Sequence, residues 1–221
     1  MRCMFAVATV ALMLLSGCGI ECSSMKIVCI GDSLTACGGD GGRYTDWLNV
    51  WLPEHTIINK GIGGDTLAGG RQRFQSDVLE LKPDIVVIEL GANDFWQKNR
   101  PIEALEDDLE DMVKRAKAAG AEVVIAGCFG ERDYTSENNV EYSPERYDFA
   151  NAIAKMEGDI CHRYGCFYIP NMQIDIKPNG RAPYWAEDNH PNKEGNQFVA
   201  RRILSKLKEA IAAANLKNRY K

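Results

Sequence analysis

The sequence lacks several features that would assign it at once to a particular class of protein. It has no excess of positive charge, because 26 lysine and arginine residues are offset by 31 aspartate and glutamate residues, for a net charge of −5. It also contains no Gly-x-x-x-x-Gly-Lys phosphate-binding loop and no internal repeat. Nucleic-acid binding and P-loop nucleotide binding are therefore not expected.

The cysteines do not form the pattern of a disulfide framework or of a metal centre. Five of them lie beyond residue 24, an odd number, and Cys29 and Cys128 fall in apolar runs, which is typical of small core residues. Cys161, His162 and Cys166 are close in sequence, but they supply only three candidate ligands, with no fourth at a suitable spacing. We expect no metal and no other cofactor.

The first 24 residues differ from the rest of the chain. A charged start, Met1-Arg2, precedes an apolar run, residues 4–15, that is too short to span a bilayer and is typical of a signal peptide. Leu15-Ser16-Gly17-Cys18 resembles the lipobox of bacterial lipoproteins, which implies export and a lipid anchor at Cys18. The alternative is that Met25 is the true start and that the protein is cytoplasmic.

The remaining chain alternates between strand and helix patterns and is long enough for one domain, residues 25–216, followed by a polar tail, residues 217–221. Continuous apolar runs predict strands at 26–32, 55–59, 84–90, 122–128 and 166–170. Helical patterns fall at 44–52, about 68–80, 101–118, 145–164 and 193–215. This order predicts a three-layer α/β/α sandwich around a five-stranded parallel sheet, as in flavodoxin-like folds.

Four short motifs occupy positions where chemistry is expected in such a fold. Three of them follow predicted strands: Gly31-Asp32-Ser33-Leu34, the segment 61–66 (Gly-Ile-Gly-Gly-Asp-Thr) and Gly91-Ala92-Asn93-Asp94. The fourth, His190-Pro191-Asn192, precedes the last predicted helix. Each could by itself be an ordinary turn or helix cap. Because parallel strands present their carboxyl ends at one edge, the joint occurrence predicts a single site.

The residue types in these motifs suit acyl transfer. A serine, here Ser33, becomes a nucleophile when a base takes its proton, and His190 is the natural base. The oxygen of an attacked ester becomes negatively charged and can be held by backbone N–H groups, as at Gly64, and by the carboxamide of Asn93. A carboxylate should orient the histidine, and Glu187 and Asp188 stand just upstream of it.

Together the four motifs resemble those of the SGNH hydrolases, also called GDSL esterases and lipases. The resemblance runs from about Lys26 to about Leu207, and it implies Ser33 as nucleophile and His190 as base. It also implies an oxyanion hole made by Gly64, Asn93 and the amide of Ser33.

One departure from the family pattern concerns the acid. The family usually has Asp three residues before the histidine, where this sequence has Glu187, and Asp188 stands only two residues before it. Spacing favours Glu187, with Asp188 or a backbone carbonyl as the substitute.

The sequence thus predicts a metal-independent serine esterase that cleaves carboxylic esters of small molecules, carbohydrates or lipids through an acyl-enzyme. The alternatives are a thioesterase, lysophospholipase or acyltransferase with the same residues, or a non-catalytic, glycan-binding surface lipoprotein. The motifs leave the acyl chain, the alcohol and the oligomeric state open. Residues expected to shape the pocket are Asp32, Thr35, Asp65, Phe95, Tyr184 and Trp185.

Overall fold

The structure is a computed structural model, and it describes residues 23–130, 144–176, 183–186 and 190–219. The N-terminal segment with the predicted lipid anchor, Cys18, lies outside the described residues. None of the described helices is both long enough and apolar enough to cross a membrane.

Five parallel strands form the central sheet in the order β2-β1-β3-β4-β5. Their bounds are β1 Lys26–Gly31, β2 Thr56–Gly61, β3 Ile85–Glu89, β4 Glu122–Ala126 and β5 Phe167–Ile169. Every residue of β3 and β4 is buried, which explains why these strands read as continuous apolar runs. The predicted five-stranded parallel sheet is confirmed, and each strand agrees with its predicted bounds to within two residues.

Seven α-helices are described, and five of them are the long helices that the sequence predicted. Their bounds are α1 Ser33–Ala36, α2 Tyr44–Trp51, α3 Leu67–Asp77, α4 Ala92–Gln97, α5 Ile102–Ala118, α6 Pro144–Tyr164 and α7 Lys193–Arg219. Helices α2 and α7 contact each other on one face of the sheet, while α3, α5 and α6 contact one another in sequence on the other. The predicted three-layer sandwich is therefore confirmed.

Three details differ from the prediction. The sequence did not indicate α1 or α4, which are only four and six residues long. Helix α3 ends at Asp77 and is followed by a separate 3₁₀ turn, Leu79–Leu81. Helix α7 continues to Arg219, beyond Lys217, where we expected the polar tail to begin.

The two edges of the sheet differ in chemistry. We call the edge formed by the first residues of the strands the amino edge, and the edge formed by their last residues the carboxyl edge. At the amino edge, Lys117 and Lys217 both pair with the buried carboxylate of Glu122, the first residue of β4. At the carboxyl edge β1 lies between β2 and β3, so the chain leaves neighbouring strands toward opposite faces and opens a crevice there.

Candidate active site

Ser33 is the first residue of α1 and lies at the carboxyl edge, just beyond Gly31 at the end of β1. Asp32 caps this helix, because its Oδ1 atom accepts a hydrogen bond from the backbone N–H of Leu34 at 2.8 Å. The Oγ atom of Ser33 lies 2.8 Å from Nε2 of His190. The structure thus brings together two predicted site residues that are 157 positions apart in sequence.

Only glycine fits at the last position of β1. A β-carbon on Gly31 would lie 2.0 Å from Oγ1 of Thr35 and 2.7 Å from the backbone carbonyl oxygen of Glu89. The second contact cannot be relieved by a side-chain rotation, since that oxygen belongs to β3. The glycine therefore allows α1 to fold back closely over the ends of β1 and β3, which fixes the position of Ser33.

The loop that carries His190 is anchored by backbone bonds and by one buried side chain. The carbonyl oxygen of His190 accepts a hydrogen bond from the N–H of Ala186 at 2.8 Å. The amide of Asn196, on the first turns of α7, donates to the carbonyl oxygen of Pro191 at 3.1 Å and to that of Cys37 at 3.2 Å. Asn196 has no exposed surface, so this link between the histidine loop and the end of α1 is shielded from water.

Asn93 lies on α4 and is bonded to both neighbouring motifs. Its Nδ2 atom donates to Oδ2 of Asp32 at 3.1 Å and to the carbonyl oxygen of Asp65 at 2.8 Å. These bonds fix the carboxamide between the residue before Ser33 and the residue after Gly64. Three of the four sequence motifs therefore converge through direct hydrogen bonds.

Gly64 lies in the loop between β2 and α3 and has a φ angle of +78°. A β-carbon at this position would meet no other atom within 4 Å, so the space in front of the glycine is open. The positive φ nevertheless disfavours other residues. Its backbone N–H thus belongs to an accessible turn beside Asn93.

One arginine on α3 holds this loop against the sheet. The guanidinium of Arg73 donates to the carboxylate of Asp65 at 2.7 Å, to the carbonyl oxygen of Gly31 at 2.9 Å and to that of Lys60 at 2.8 Å. It also pairs with Asp77 at 3.0 Å. A planar group with five donors can bond to several acceptors at once. Arg73 therefore joins the ends of β1 and β2 to the loop that carries Gly64.

A fully buried carboxyl group, Glu89, lies beneath the serine turn. Its Oε2 atom accepts a hydrogen bond from Oγ1 of Thr35 at 2.8 Å and a longer one from the N–H of Asp32 at 3.4 Å. Its Oε1 atom accepts one from Sγ of Cys128 at 3.4 Å. None of these partners is a cation, so the charge of an ionised Glu89 would be poorly compensated.

Burial accordingly raises the pKa of both carboxyl groups. The pKa of Asp32 is raised to about 6, although the hydrogen bond from Leu34 and the nearby His190 oppose this shift. The pKa of Glu89 is raised well above its usual value, first by burial and then by the charge of Asp32. Burial therefore favours the protonated form of Glu89 relative to that of a solvent-exposed carboxyl, and the group supports the serine turn through its bonds to Thr35 and Asp32.

Other predicted positions fall elsewhere. Glu187 and Asp188, the two candidates for the carboxylate that orients His190, lie outside the described residues. Asp32, Thr35 and Phe95, which we expected to shape the pocket, have no exposed surface, so none of them lines it. Asp32 instead acts at the site through its hydrogen bond to Asn93, and Thr35 bonds to Glu89 beneath the serine turn.

Sequence reasoning missed Glu89, Arg73 and Asn196. Glu89 stands out in the sequence as the one carboxylate at the end of an apolar run. A periodic pattern does not show which residues such a side chain contacts, so its role could not be predicted.

Within the part of the chain that the structure describes, no group of three or more His, Cys, Asp or Glu side chains could hold a metal ion.

Known proteins resemble this chain in both sequence and fold. Esterase TesA of Pseudomonas aeruginosa is 31% identical over 138 residues, which cover 58% of this chain and 64% of that protein. The arylesterase of Vibrio mimicus is 28% identical over 194 residues, which cover 84% of this chain and 89% of that protein. The crystal structure of TesA matches with a TM-score of 0.71 at 24% identity, covering 84% of this chain and 99% of that one, which shows the fold.

The model of the GDSL-like lipase/acylhydrolase family matches residues 29–198, and this range contains all four motifs. The chain therefore belongs to the GDSL-like lipase/acylhydrolase family, and it is a serine hydrolase of carboxylic esters.

Proposed function

From its membership of this family, we propose that the chain cleaves carboxylic esters through an acyl-enzyme formed on Ser33. The observation that carries the proposal is the 2.8 Å separation between Oγ of Ser33 and Nε2 of His190. As Oγ attacks the ester carbonyl carbon, Nε2 takes the hydroxyl proton and then gives it to the departing alcohol. Water, activated by the same nitrogen, releases the acid and regenerates Ser33.

The oxyanion of the tetrahedral intermediate is held by the backbone N–H groups of Ser33 and Gly64 and by Nδ2 of Asn93. Both hydrogens of that amide are already donated, to Asp32 and to the carbonyl oxygen of Asp65. The oxyanion must therefore share a hydrogen with one of these acceptors. Because the amide is fixed before substrate arrives, little reorganisation is needed as charge develops.

The direct test is Ser33→Ala, assayed on a short-chain p-nitrophenyl ester. We expect kcat to fall by about 10³-fold or more with the fold unchanged, because the covalent step is lost. A fluorophosphonate probe should label the parent and fail to label the variant. Ser76→Ala, at an exposed serine on α3, is the matched control and should keep both activity and labelling. Near-normal turnover of Ser33→Ala would remove Ser33 from the mechanism.

A separate test decides which carboxylate orients His190. Glu187→Gln should reduce kcat by up to about 10⁴-fold if Glu187 fixes the imidazole tautomer, while Asp188→Asn changes it less than about tenfold. The reverse result would assign the role to Asp188. Two mild effects would indicate a Ser33–His190 dyad held by the backbone.

Exposed apolar side chains beside the site favour a substrate with an apolar acyl or aryl group. Ile62 is 49% exposed and directly precedes the Gly63-Gly64 turn. Trp96 is 53% exposed and stands three residues after Asn93 on α4, hence on the same side of that helix. Large apolar groups left in water next to a reactive site are typical of binding surfaces.

This substrate preference is tested with p-nitrophenyl esters from acetate to palmitate, together with acetylated xylan, an acyl thioester and a lysophospholipid. Ile62→Ser and Trp96→Ala should raise KM for the longer acyl esters more than for acetate. Leu216→Ser is the matched control, because Leu216 is 55% exposed on the last turns of α7, next to the Lys217 that pairs at the amino edge. Activity on none of these substrates would favour a glycan-binding module instead.

We also propose that residues 1–24 direct export and that Cys18 carries a lipid. The burial of Met25 favours a start at Met1 over a start at Met25. Met25 is 1% exposed, and its backbone N–H donates to Nδ1 of the buried His55 at 3.3 Å. A free α-ammonium group at Met25 would have to be buried there. Radiolabelled palmitate should enter the full chain in a bacterial host and be absent from Cys18→Ser. Equal labelling of the two, or none in either, would contradict the anchor.

A further inference from the structure

The end of α6 places two cysteine side chains together. The helix ends at Tyr164, Gly165 follows with a φ angle of +61°, and the N–H of Cys166 donates to the carbonyl oxygen of Cys161 at 2.9 Å. This is the bond pattern of a Schellman motif, in which the side chains at these two positions commonly contact each other. The backbone that ends the helix therefore brings the two thiols side by side.

The two thiols are unequal in exposure and in charge environment. Cys161 is 4% exposed, whereas Cys166 is half-buried. The ammonium group of Lys117, on α5, donates to the carbonyl oxygen of Gly165 at 3.0 Å, which places a positive charge beside the turn. Interaction with the neighbouring Cys161 thiol lowers the pKa of Cys166, and Lys117 lowers it further, against the effects of burial and of Glu122. Cys166 is thus the more reactive thiol.

We propose that Cys161 and Cys166 are a disulfide-forming pair, which closes by exchange with a small-molecule disulfide. The thiolate of Cys166 attacks one sulfur of that disulfide, and the S–S bond breaks to release a first thiolate. Cys161 then loses its proton to solvent and attacks the sulfur of Cys166, which expels the second thiolate. Two protein thiols and one disulfide become one protein disulfide and two small thiols, and the two protons end on the released thiolates.

The other cysteines that the structure describes stand in different settings. Cys29 is fully buried against Tyr44, and Cys128 is bonded to Glu89 in the core. Cys37 is partly exposed, but its Sγ donates to the backbone of Leu34. Only Cys161 and Cys166, within the described ranges, share one turn. The cross-link would fasten the end of α6 to the start of β5, away from Ser33, so it is independent of the proposed esterase chemistry.

The sequence provides a direct assay, because Arg163 lies between the two cysteines. The full chain is incubated with oxidised glutathione, denatured with an alkylating agent and digested with trypsin, which puts Cys161 in peptide 156–163 and Cys166 in the peptide that starts at Tyr164. We expect these peptides to be joined, with the mass of two hydrogen atoms lost, and to separate after dithiothreitol. Free peptides, or peptides that carry glutathione and are not joined, would overturn the proposal.

Cysteine variants distinguish formation of the Cys161–Cys166 disulfide from the general reactivity of single thiols. Cys161→Ala should retain glutathione on Cys166, because no second thiol can displace it, while Cys37→Ala should form the cross-link like the parent. Oxidation should raise the Tm of the parent by a few degrees and leave that of Cys161→Ala unchanged. If Cys161→Ala does not fold, Cys166→Ser serves instead, and its Cys161 should stay unmodified because it is buried. A joined pair without a rise in Tm would keep the proposed linkage but exclude the fastening of α6 to β5.

Discussion

Glu122 and Glu89 are both buried carboxyl groups at the ends of neighbouring strands, but they face opposite electrostatic surroundings. At the amino edge, burial alone would raise the pKa of Glu122, yet hydrogen bonds from Lys117 and Lys217 lower it below its usual value. At the carboxyl edge, the partners of Glu89 among the described residues are a hydroxyl, a thiol and an amide, and its pKa is raised. The ion pairs of Glu122 stabilise the fold at neutral pH. The surroundings of Glu89 instead favour the protonated form of its carboxyl group.

The same contrast extends to the neighbours of these two groups. Asp32 and Glu157 also lie at the carboxyl edge, and burial raises the pKa of Asp32 to about 6 and that of Glu157 to about 8. Functional sites often keep poorly compensated polar groups that the rest of the fold must support. We therefore expect substitutions at the carboxyl edge to change activity or pH dependence and those at the amino edge to change stability.

Of the four substitutions that test this comparison, Asn93→Ala should have the largest effect. It removes the side-chain donor to the oxyanion, so kcat should fall by about 10² to 10³-fold with a smaller change in KM. Steady-state kinetics on a p-nitrophenyl ester measure both constants. Asn99→Ala, at an exposed asparagine just after α4, should be silent. A change in KM alone would make Asn93 a substrate-binding residue rather than an oxyanion donor.

A smaller loss of activity is expected from Asp32→Asn. The new side chain can still accept the hydrogen bond from Leu34, but its amide would face the amide of Asn93, two donors with no acceptor between them. We expect kcat to fall by about tenfold to a hundredfold. Because Asp32 titrates near pH 6 and lies close to His190, the acid limb of the kcat/KM profile should also move. Full activity with an unchanged pH profile of kcat/KM would show that Asp32 does not position Asn93.

Glu157→Gln should change stability in a pH-dependent way. Glu157 is buried on α6 and accepts a hydrogen bond from the hydroxyl of Tyr168 at 3.0 Å. Since its folded pKa is raised above its unfolded value, the parent loses stability as pH rises from about 4.5 through 8. The variant cannot ionise, so its Tm should exceed that of the parent by about 4–8 °C at pH 9, roughly 2 kcal/mol, and match it below about pH 4.5. Glu209→Gln, exposed on α7, is the control.

Glu122→Gln should show the opposite pH dependence and the smallest effect. Its lowered pKa means that its stabilisation is present above the usual carboxyl pKa and is lost as pH falls through the folded value. The variant should therefore melt about 2–4 °C below the parent at pH 7, equivalent to about 1 kcal/mol, and approach it under acid conditions. Its kcat should stay unchanged. A loss of activity without a loss of stability would erase the distinction between the two edges.

The sequence predicted the long elements because each one buries a regular apolar pattern. Helix α5 is an example, since Leu105, Leu109 and Met112 recur at helical spacing and are buried. The two helices that it missed, α1 and α4, are too short for any period to show, yet they carry Ser33 and Asn93.

The four motifs indicated which residues do the chemistry, but the supporting contacts depend on tertiary structure. The guanidinium of Arg73 donates to Gly31, which is 42 residues away in sequence, and to Asp65, which lies in the loop before α3. No local pattern could have predicted these bonds.

The distance along the chain between Ser33 and His190 has a consequence for biosynthesis. Synthesis proceeds from the N-terminus, so the nucleophile, Gly64 and Asn93 all emerge long before the histidine. Until α7 follows and Asn196 bonds to the segment after α1, the serine has no base. A nascent chain is therefore inert toward esters, and the appearance of turnover in a refolding experiment would report that the last helix has docked.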